Sequence, residues 1–293
     1  MDYQVSWNHE EPSMSTLDQL RYTYTDADFN FIKKLISEHS GININESKRE
    51  LVYGRLSKRI RQLGLGSFRE YCNLLKSGDE EELYNCIDAI TTNVTHFFRE
   101  NHHFEFLFDN IIPSILNNPV RSGLRKLRVW SAGCSTGEEP YSIEIILRKF
   151  VQLNAWDVKI LATDLSYNVL HQAQQGIYRR SEVEGVSEDT LKKWFLQNRK
   201  DRSVVRVNDE LKRRIFFKRL NLNSTWEITG PIDVIFCRNV VIYFNKETQR
   251  RLFDRFANIL SDDGYLILGH SESMFGVSDR FELVSRTIYK KKI

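Results

Sequence analysis

Short apolar runs alternate with helical segments over the second half of the chain, and this alternation constrains the fold most. Four runs have the length and aliphatic content of buried strands. They are KLRVWSA (126–132), DVKILAT (157–163), IDVIFC (232–237) and GYLILG (264–269). Helices are predicted to begin between them, near Gly137, Ser166 and Lys246. Because strands and helices in alternation are typical of a doubly wound, mostly parallel sheet, we predict an α/β fold.

The first part of the chain has a different pattern. Apolar residues recur there at helical spacing, with glycines where the helices should end. We therefore predict a flexible tail over residues 1–25, an all-helical N-terminal domain over 26–92 and the sheet-containing domain over 93–293.

Two segments of the larger domain depart from the alternation. Residues 179–220 hold a short helix and the β-like runs SVVRV and RIFFKRL, which together predict a small inserted β-subdomain. The C-terminal run FELVSRTIYKKK has no helix between its two halves and predicts a terminal hairpin.

Composition excludes several classes of protein. The formal net charge is only +3, which gives no reason to expect a nucleic-acid partner. The four cysteines lack the spacing of metal ligands and are predicted to be buried, reduced thiols, with no metal site. No apolar run approaches the ~20 residues of a membrane span, and the start of the chain does not resemble a signal peptide. We expect a cytoplasmic protein that does not insert into a membrane.

Glycines and polar residues follow the predicted strands. They are residues 133–139 after the first run, Asp164 after the second, Asn221 and Leu222 after RIFFKRL, and Arg238 and Asn239 after IDVIFC. Ligands of open α/β sheets bind beyond the carboxyl ends of the strands. These residues therefore predict a binding site at that edge.

The loop after the first strand favours one cofactor over another. Gly133 and Gly137 allow a tight turn and close approach to a ligand, but the loop is not the G-x-G-x-x-G of dinucleotide sites. Glu138 and Glu139 at the start of the next helix would repel a pyrophosphate. Carboxylates suit a ligand with a cationic amino group and a sulfonium, which favours S-adenosylmethionine over NAD.

Asp164 stands where an acidic residue accepts hydrogen bonds from the two ribose hydroxyls of an adenosyl group. The alternative is that it caps the helix that follows, for which Ser166 is the better residue.

The sequence also resembles the chemotaxis-receptor methyltransferases (CheR type), from about Asp26 to the C-terminus. Five motifs carry the resemblance in the order of that family. They are TTNVTHFFRENHHF (91–104), RVWSAGCSTGEEPYSI (128–143), ATDLSYNVLHQAQQGIY (162–178), FCRNVVIYF (236–244) and LGHSES (268–273). The resemblance implies an N-terminal helical domain and a methyltransferase domain with a small β-subdomain. It also implies transfer of methyl groups to receptor glutamates.

The resemblance further implies roles for individual residues. The residues that match the cofactor-binding motifs are Asn93, Thr95, Arg99, Glu138 or Glu139 (of which we favour Glu139), Asp164, Asn221, Leu222, Asn239 and Val240. Arg99 is also our candidate for orienting a carboxylate, of the substrate or of the cofactor, because guanidinium binds carboxylates bidentately. Tyr243 either lines the substrate opening or belongs to the core. His102 and His103 are expected to be structural, at the start of a helix.

A glutamate carboxylate, with a pKa of about 4.3, is already ionised at neutral pH and needs no base to attack a sulfonium methyl. Catalysis then reduces to in-line positioning, so the lack of an obvious base is expected. Adenine and glutamine N-methyltransferases carry the motif [DN]-P-P-[YF] after the fourth strand. This chain has Asn239-Val240-Val241-Ile242-Tyr243 there, without proline, which argues against that class of enzyme. A non-catalytic adaptor that binds cofactor and receptor remains the alternative.

A basic stripe on the second predicted helix suggests how a receptor could dock. Lys48, Arg55, Arg59 and nearby Lys58 share one side, beside the apolar stripe of Val52, Leu56 and Ile60. The resemblance implies that the helical domain meets the acidic methylation helices of membrane chemoreceptors. Some members of the family also bind a receptor's C-terminal peptide at a glycine-rich loop. Here that loop, LQNRKDRS (196–203), lacks glycine, so tight binding of such a peptide is not expected.

Overall fold

The computed structural model describes residues 22–91, 93–198 and 201–292. They form two compact units, one from residues 22–35 with Ile44–Ile90 and one from Ile36–Asn43 with residues 91–292. The predicted tail falls mostly on residues 1–21, which lie outside the described residues.

The first unit is helical. Its helices are α1 (Asp26–Ser40, whose last turn belongs to the second unit), a 3₁₀ turn (Glu46–Lys48), α2 (Arg49–Gln62), α3 (Phe68–Lys76) and α4 (Glu80–Ile90). Helix α1 begins where Thr25 Oγ1 accepts a hydrogen bond from the amide of Asp28, whose carboxylate accepts one from the amide of Thr25. The apolar stripe of α2 is fully buried, as its spacing predicted.

The second unit is built on a seven-stranded sheet in the order β6-β2-β1-β7-β8-β10-β9. Its strands are β1 (Lys126–Ala132), β2 (Asp157–Asp164), β6 (Ile215–Arg219), β7 (Ile232–Cys237), β8 (Leu260–Leu268), β9 (Phe281–Ser285) and β10 (Ile288–Lys291). The first five in spatial order are parallel, and β9 and β10 form an antiparallel hairpin beside β8. The predicted fold class and the terminal hairpin are thus confirmed.

Helices cover both faces of this sheet. They are α5 (His102–Phe106), a π-helical segment (Leu107–Ile111), α6 (Ile112–Asn117), α7 (Pro119–Leu124), α8 (Glu138–Leu147), α9 (Tyr167–Gln175) and α12 (Lys246–Ile259), with 3₁₀ turns at Val151–Ala155 and Val241–Tyr243. In β7, Val234 and Phe236 belong to one buried apolar cluster, whereas Ile235 and Cys237 belong to another. A strand that buries both of its faces is typical of a doubly wound sheet.

A second, antiparallel sheet in the order β3-β5-β4 forms the inserted subdomain. Its elements are β3 (Ile177–Arg179), a 3₁₀ turn (Arg180–Val183), α10 (Glu188–Trp194), β4 (Phe195–Gln197), β5 (Val204–Val207) and α11 (Asp209–Lys212). One strand differs from the expectation. The run RIFFKRL, which we assigned to the insertion, contains β6, and β6 pairs with β2 at the edge of the main sheet.

All four cysteines are buried and unpaired, as predicted. Burial raises the pKa of Cys72 and of Cys86 to about 12 in each case, so both thiols stay protonated at neutral pH. Within the described ranges, no helix combines the length and the apolar content needed to cross a membrane.

Candidate active site

The loop between β1 and α8 turns sharply at two glycines with positive φ, +105° at Gly133 and +100° at Gly137. Amides of Gly133 and Cys134 donate to the carbonyl of Thr163, at 2.8 and 2.9 Å, and so fix the loop against the end of β2. A Cβ at Gly133 would lie 2.4 Å from Cγ2 of Val240. Glycine is therefore needed here for the turn and for close packing of the loop that follows β7.

Asp164, the last residue of β2, is held by two backbone amides. Its Oδ2 accepts from the amide of Ser135 at 2.8 Å, and its Oδ1 accepts from the amide of Ser166 at 3.1 Å. The helix that follows is capped by Ser166, whose Oγ accepts from the amide of Val169. The carboxylate of Asp164 therefore ties the loop after β1 to the end of β2, while Ser166 is the cap.

Glu138 and Glu139 are both buried at the start of α8, but they point to different partners. Glu139 Oε1 accepts from Ser131 Oγ at 2.6 Å, and its Oε2 lies 3.0 Å from Nη1 of Arg238. Glu138 accepts from Thr136 Oγ1 at 2.7 Å, and burial raises the pKa of Glu138. Only Glu139 thus reaches the ends of both β1 and β7.

Arg238, directly after β7, joins several predicted site segments, although its side chain is only 3% exposed. Besides Glu139, its guanidinium lies 3.6 Å from Glu100 Oε2 and donates to the carbonyl of Arg99. It also stacks over the ring of Phe104. We call Arg238, Glu139 and Glu100 the Arg238 cluster.

Glu100, which has a positive φ of +56°, also contacts the loops after β7 and β8. Its carboxylate accepts from the amide of His270 at 3.0 Å, lies 2.8 Å from His270 Nδ1 and is 3.5 Å from Nδ2 of Asn239. Burial alone would raise the pKa of Glu100, but the hydrogen bond with His270 and the charge of Arg238 outweigh it, so the pKa is lowered. The carboxylate is therefore ionised at neutral pH.

His102 and His103 begin α5, as expected. His103 is fully buried, with Nε2 2.8 Å from Thr287 Oγ1, and burial lowers the pKa of His103 to about 3. Ligand atoms of Glu100, His102 and His103 lie within 4.8 Å of one another. That spacing could admit a cation, but the positive guanidinium of Arg238 faces the same carboxylate and opposes one.

Glu272, in the loop after β8, fastens its own loop to the loop after β7 through one buried carboxylate. It accepts from the amides of Asn239 and Val240, each at 2.8 Å, of Ile242 at 3.3 Å and of Gly269 at 2.6 Å. Asn239 has a φ of +58°, a backbone conformation that such anchoring can hold in place. The predicted cofactor residues Asn239 and Val240 are thus fixed by a side chain to which the sequence analysis gave no role.

The segment of Asn93, Thr95 and Arg99 lies beside the loop after β1. Ser135 Oγ donates to the carbonyl of Asn93 at 3.2 Å, and Arg99 Nη1 donates to the carbonyl of Val94 at 2.8 Å. Thr95 and Arg99 are half-buried, and Asn93 is exposed. These contacts bring the segment to the same edge of the sheet as Asp164.

Asn221 and Leu222 follow β6, next to the end of β2. The side chain of Asn221 donates through Nδ2 to the carbonyl of His39 and accepts through Oδ1 from the backbone amide of Asn223 at 2.9 Å, and Leu222 is buried. A cavity of about 440 Å³ opens beside Leu222, between residues 222–228 and α12. Of the predicted cofactor residues, Leu222 lines this cavity, whereas the loop after β1 and Asp164 do not.

Tyr243 lies in the 3₁₀ turn after β7 and is half-buried. Its carbonyl accepts from the amide of Asn43 at 2.7 Å. Whether its side chain lines a substrate opening stays a prediction.

In the helical unit, two cations of the basic stripe have structural partners. Arg59 binds Glu82 through Nε and Nη2, at 3.0 and 2.5 Å, and Tyr71 donates to the same carboxylate at 2.7 Å. Arg55 donates to the carbonyl of Ile90 at 2.6 Å. Both arginines therefore hold α4 against α2, a role that the sequence analysis did not expect.

Of the other two cations, Lys58 is exposed and Lys48 is half-exposed. A receptor-docking role for the stripe stays a prediction, and Lys58 is the cation best placed to fulfil it.

Hydrogen bonds and close packing bring most of the predicted cofactor residues together at one edge of the sheet. Sequence reasoning missed Glu100 and Glu272 and gave Arg238 no role. The signals were present, because all three lie inside the quoted motifs and Arg238 is a charged residue directly after a fully buried strand.

Comparison with known families agrees with this geometry. Residues 93–290 match the family described as CheR methyltransferase, SAM binding domain, and residues 27–91 match CheR methyltransferase, all-alpha domain. The solved structure of PKMT2 from Rickettsia typhi in complex with AdoHcy has a TM-score of 0.31 and 16% identity over 50% of this chain and 21% of that chain. That similarity is too low for us to infer anything from it.

Relatives of known name match over most of the sequence. A probable chemotaxis protein methyltransferase of Rhizobium etli is 44% identical, covering 87% of this chain and 96% of that protein. Chemotaxis protein methyltransferase 2 of Pseudomonas aeruginosa is 41% identical over 92% of this chain and 94% of that protein. The chemotaxis protein methyltransferase of Escherichia coli is 40% identical over 92% of each. The chain therefore belongs to the CheR methyltransferase family and is an S-adenosylmethionine-dependent methyltransferase of chemotaxis.

Proposed function

We propose that this methyltransferase esterifies glutamate side chains of bacterial chemoreceptors, in the cytoplasm. The observation that carries the proposal is the extensive match to relatives named chemotaxis protein methyltransferases. The Arg238 cluster supports a binding site at this edge of the sheet, because it joins Glu139 to the segment that contains Arg99.

Asp164 and Glu139 are the proposed anchors of the cofactor. Asp164, held by the amides of Ser135 and Ser166, would accept hydrogen bonds from the ribose hydroxyls. Glu139 would attract the cationic amino group, and its position between the ends of β1 and β7 supports it over Glu138. Two carboxylates held by backbone and guanidinium fit a ligand that carries both hydroxyls and a positive charge.

The remaining cofactor contacts are proposed for residues at the rim of the same edge. They are Asn93, Thr95, Asn221, Leu222, Asn239 and Val240. Their fixed backbones support this assignment, since loops that are already ordered lose little entropy when a ligand binds.

When bound, S-adenosylmethionine supplies an electrophilic methyl group on a good leaving group. The chain's own residues hold the substrate carboxylate in line and keep other nucleophiles away.

Arg99 is proposed to orient that carboxylate. One of its five N–H donors is used by the carbonyl of Val94, so others can bind a carboxylate in fork geometry. Tyr243 is proposed at the opening through which the glutamate enters.

The partners that we propose are the cytoplasmic methylation helices of membrane chemoreceptors. A receptor's C-terminal peptide is not expected to bind tightly at residues 196–203, of which residues 199 and 200 lie outside the described residues. Titration with receptor tail peptides would contradict this if it gave micromolar affinity.

The deciding experiment is methyl transfer from radiolabelled S-adenosylmethionine to receptor-enriched membranes. We expect label in the receptor that base releases as methanol, because esters are base-labile whereas N-methyl groups are not. Receptors whose methylated glutamates are replaced by alanine serve as the control. Receptor binding without transfer would instead identify the chain as a non-catalytic adaptor.

Asp164→Ala tests the proposed cofactor site by a binding measurement. Loss of hydrogen bonds to a charged group should weaken binding of S-adenosylhomocysteine by ~1–3 kcal/mol, measured by calorimetry. Unchanged affinity would refute the ribose role of Asp164.

A further inference from the structure

Phe275 is the most exposed large apolar side chain among the described residues, with 94% of its surface accessible. It stands at the tip of a turn in which the amide of Val277 donates to the carbonyl of Met274 at 2.9 Å, and Gly276 has a φ of +68°. Met274 and Val277, on either side of the tip, are 3% and 6% exposed. The turn is therefore anchored in the core and presents one aromatic ring to the surroundings, where the ring forgoes the free energy of burial.

The turn belongs to the edge of the sheet where the proposed site lies. Glu272 accepts from the amides of Asn239 and Val240, two of the proposed cofactor residues. Phe275 follows Glu272 by three residues, so their Cα atoms are at most about 11 Å apart. The exposed ring thus stands on the loop that fixes Asn239 and Val240, at the edge of the sheet where the opening is proposed.

Other side chains near this opening complete an amphipathic rim. Ile242, whose amide also donates to Glu272, is 47% exposed. Arg250 donates through Nε to the carbonyl of Val277 at 3.4 Å, which puts a cation beside the turn of Phe275. Two apolar side chains with a cation next to them suit an amphipathic helix that carries glutamates.

Size gives the reason why such a helix must meet this rim. A helix with its side chains is about 10–12 Å across, and a glutamate side chain is shorter than that. A helix whose glutamate enters the opening therefore covers residues within about that distance of it. Resting on the function proposed above, we propose that Phe275 is a docking residue that packs on apolar side chains of the receptor's methylation helix, beside the glutamate that is methylated.

The test uses Phe275→Ser in the full chain, with receptor-containing membranes as the substrate. We expect the receptor KM to rise at least about fivefold, with kcat at saturating receptor and the affinity for S-adenosylhomocysteine each within about twofold of wild type. Phe275→Trp should restore the receptor KM. Thermal unfolding should not change, because the ring has no buried contacts to lose.

Leu124→Ser is the matched control. Leu124 is also exposed, at 57%, but it ends α7 just before β1, at the opposite edge of the sheet. Its replacement should leave the receptor KM unchanged.

Co-sedimentation of each variant with receptor membranes measures docking without turnover. Weaker co-sedimentation of Phe275→Ser would support the docking role even if the wild-type chain transferred no methyl, a result that would refute the proposed function alone. Equal co-sedimentation and equal KM would overturn the docking role. So would a loss of self-association by Phe275→Ser in sedimentation velocity, since the ring would then serve a second copy of the chain.

Discussion

Each unit of the molecule buries a carboxylate against a guanidinium, but the two pairs are built differently. In the helical unit, the Arg59 cluster consists of Arg59, Glu82 and Tyr71, with Glu82 only 4% exposed. Arg59 binds one carboxylate there, and that carboxylate also takes the hydroxyl of Tyr71. The Arg59–Glu82 pair joins two helices of the same unit, and the bonds of the cluster lie within that unit.

The Arg238 cluster instead divides one guanidinium among several partners. Arg238 faces both Glu139 and Glu100 and donates to a backbone carbonyl. Two of these partners lie in segments proposed to bind the cofactor. Burial of an ion pair by itself therefore does not indicate function, and it is the sharing of Arg238 among loops at one edge of the sheet that supports our proposal of a site there.

The largest expected effect is that of Arg238→Ala. This change leaves the buried carboxylate of Glu139 without its cation and removes a charge partner from the half-buried Glu100, which should destabilise the folded state by about 3–5 kcal/mol. Urea unfolding measures that loss, and calorimetry should detect no binding of S-adenosylhomocysteine. Normal cofactor affinity in this variant would remove the distinction between the two clusters.

Arg59→Ala should have a smaller and purely structural effect. Tyr71 still bonds Glu82, and Arg59 is 25% exposed, so we expect a loss of about 1.5–3 kcal/mol in the free energy of unfolding. Affinity for S-adenosylhomocysteine should stay at the wild-type value. If the variant kept its stability but raised the receptor KM, Arg59 would be a docking residue, as the sequence alone suggested.

These two clusters also mark the limit of what the sequence predicts. Arg59 and Glu82 are 23 positions apart, and Arg238 and Glu139 are 99 apart. Helical spacing correctly assigned Arg55 and Arg59 to one side of α2, but it cannot reveal that α4 packs on that side and takes up both guanidiniums. Local periodicity determines which face of a helix a residue occupies, and tertiary packing determines its partner.

The fold was more predictable than the site, because buried strands and capped helices have local signals. Ser166 and the strand IDVIFC behave as their patterns predicted. The misassigned strand β6 is an edge strand whose burial alternates, and such a pattern fits the edge of either sheet. Similarly, no local pattern distinguishes Glu272, which holds four amides, from an ordinary loop glutamate.

His103, a buried neighbour of the Arg238 cluster, should make the stability of the second unit depend on pH. Burial, and then the charge of Arg238, lowers the pKa of His103 to about 3 from its usual 6.5, so the folded state keeps the ring neutral. The unfolded chain gains a proton below pH 6.5, and stability should fall between pH 6.5 and 3, by at most about 1.4 kcal/mol per pH unit. The Arg59 cluster contains no histidine.

Urea unfolding at pH 7, 6 and 5 measures this dependence. His103→Gln keeps a neutral side chain beside Thr287. Whatever the absolute stability of this variant, its free energy of unfolding should lack the dependence on pH that His103 causes. Equal slopes in the wild type and the variant would show that His103 is protonated in the folded state.

The smallest effect on folding is expected at Lys58, the exposed cation on the same helix as Arg59. Lys58→Glu should change the free energy of unfolding by no more than about 0.5 kcal/mol, because the side chain is in water. If the receptor's acidic helices approach this side of α2, the receptor KM should nevertheless rise at low salt. The rise should fade as salt screens charges over ~10 Å at 0.1 M. Arg69→Glu, which makes the same change at an exposed position on α3, controls for net charge. An equal rise in KM for both variants would mean that total charge, and not the stripe on α2, governs the encounter with the receptor.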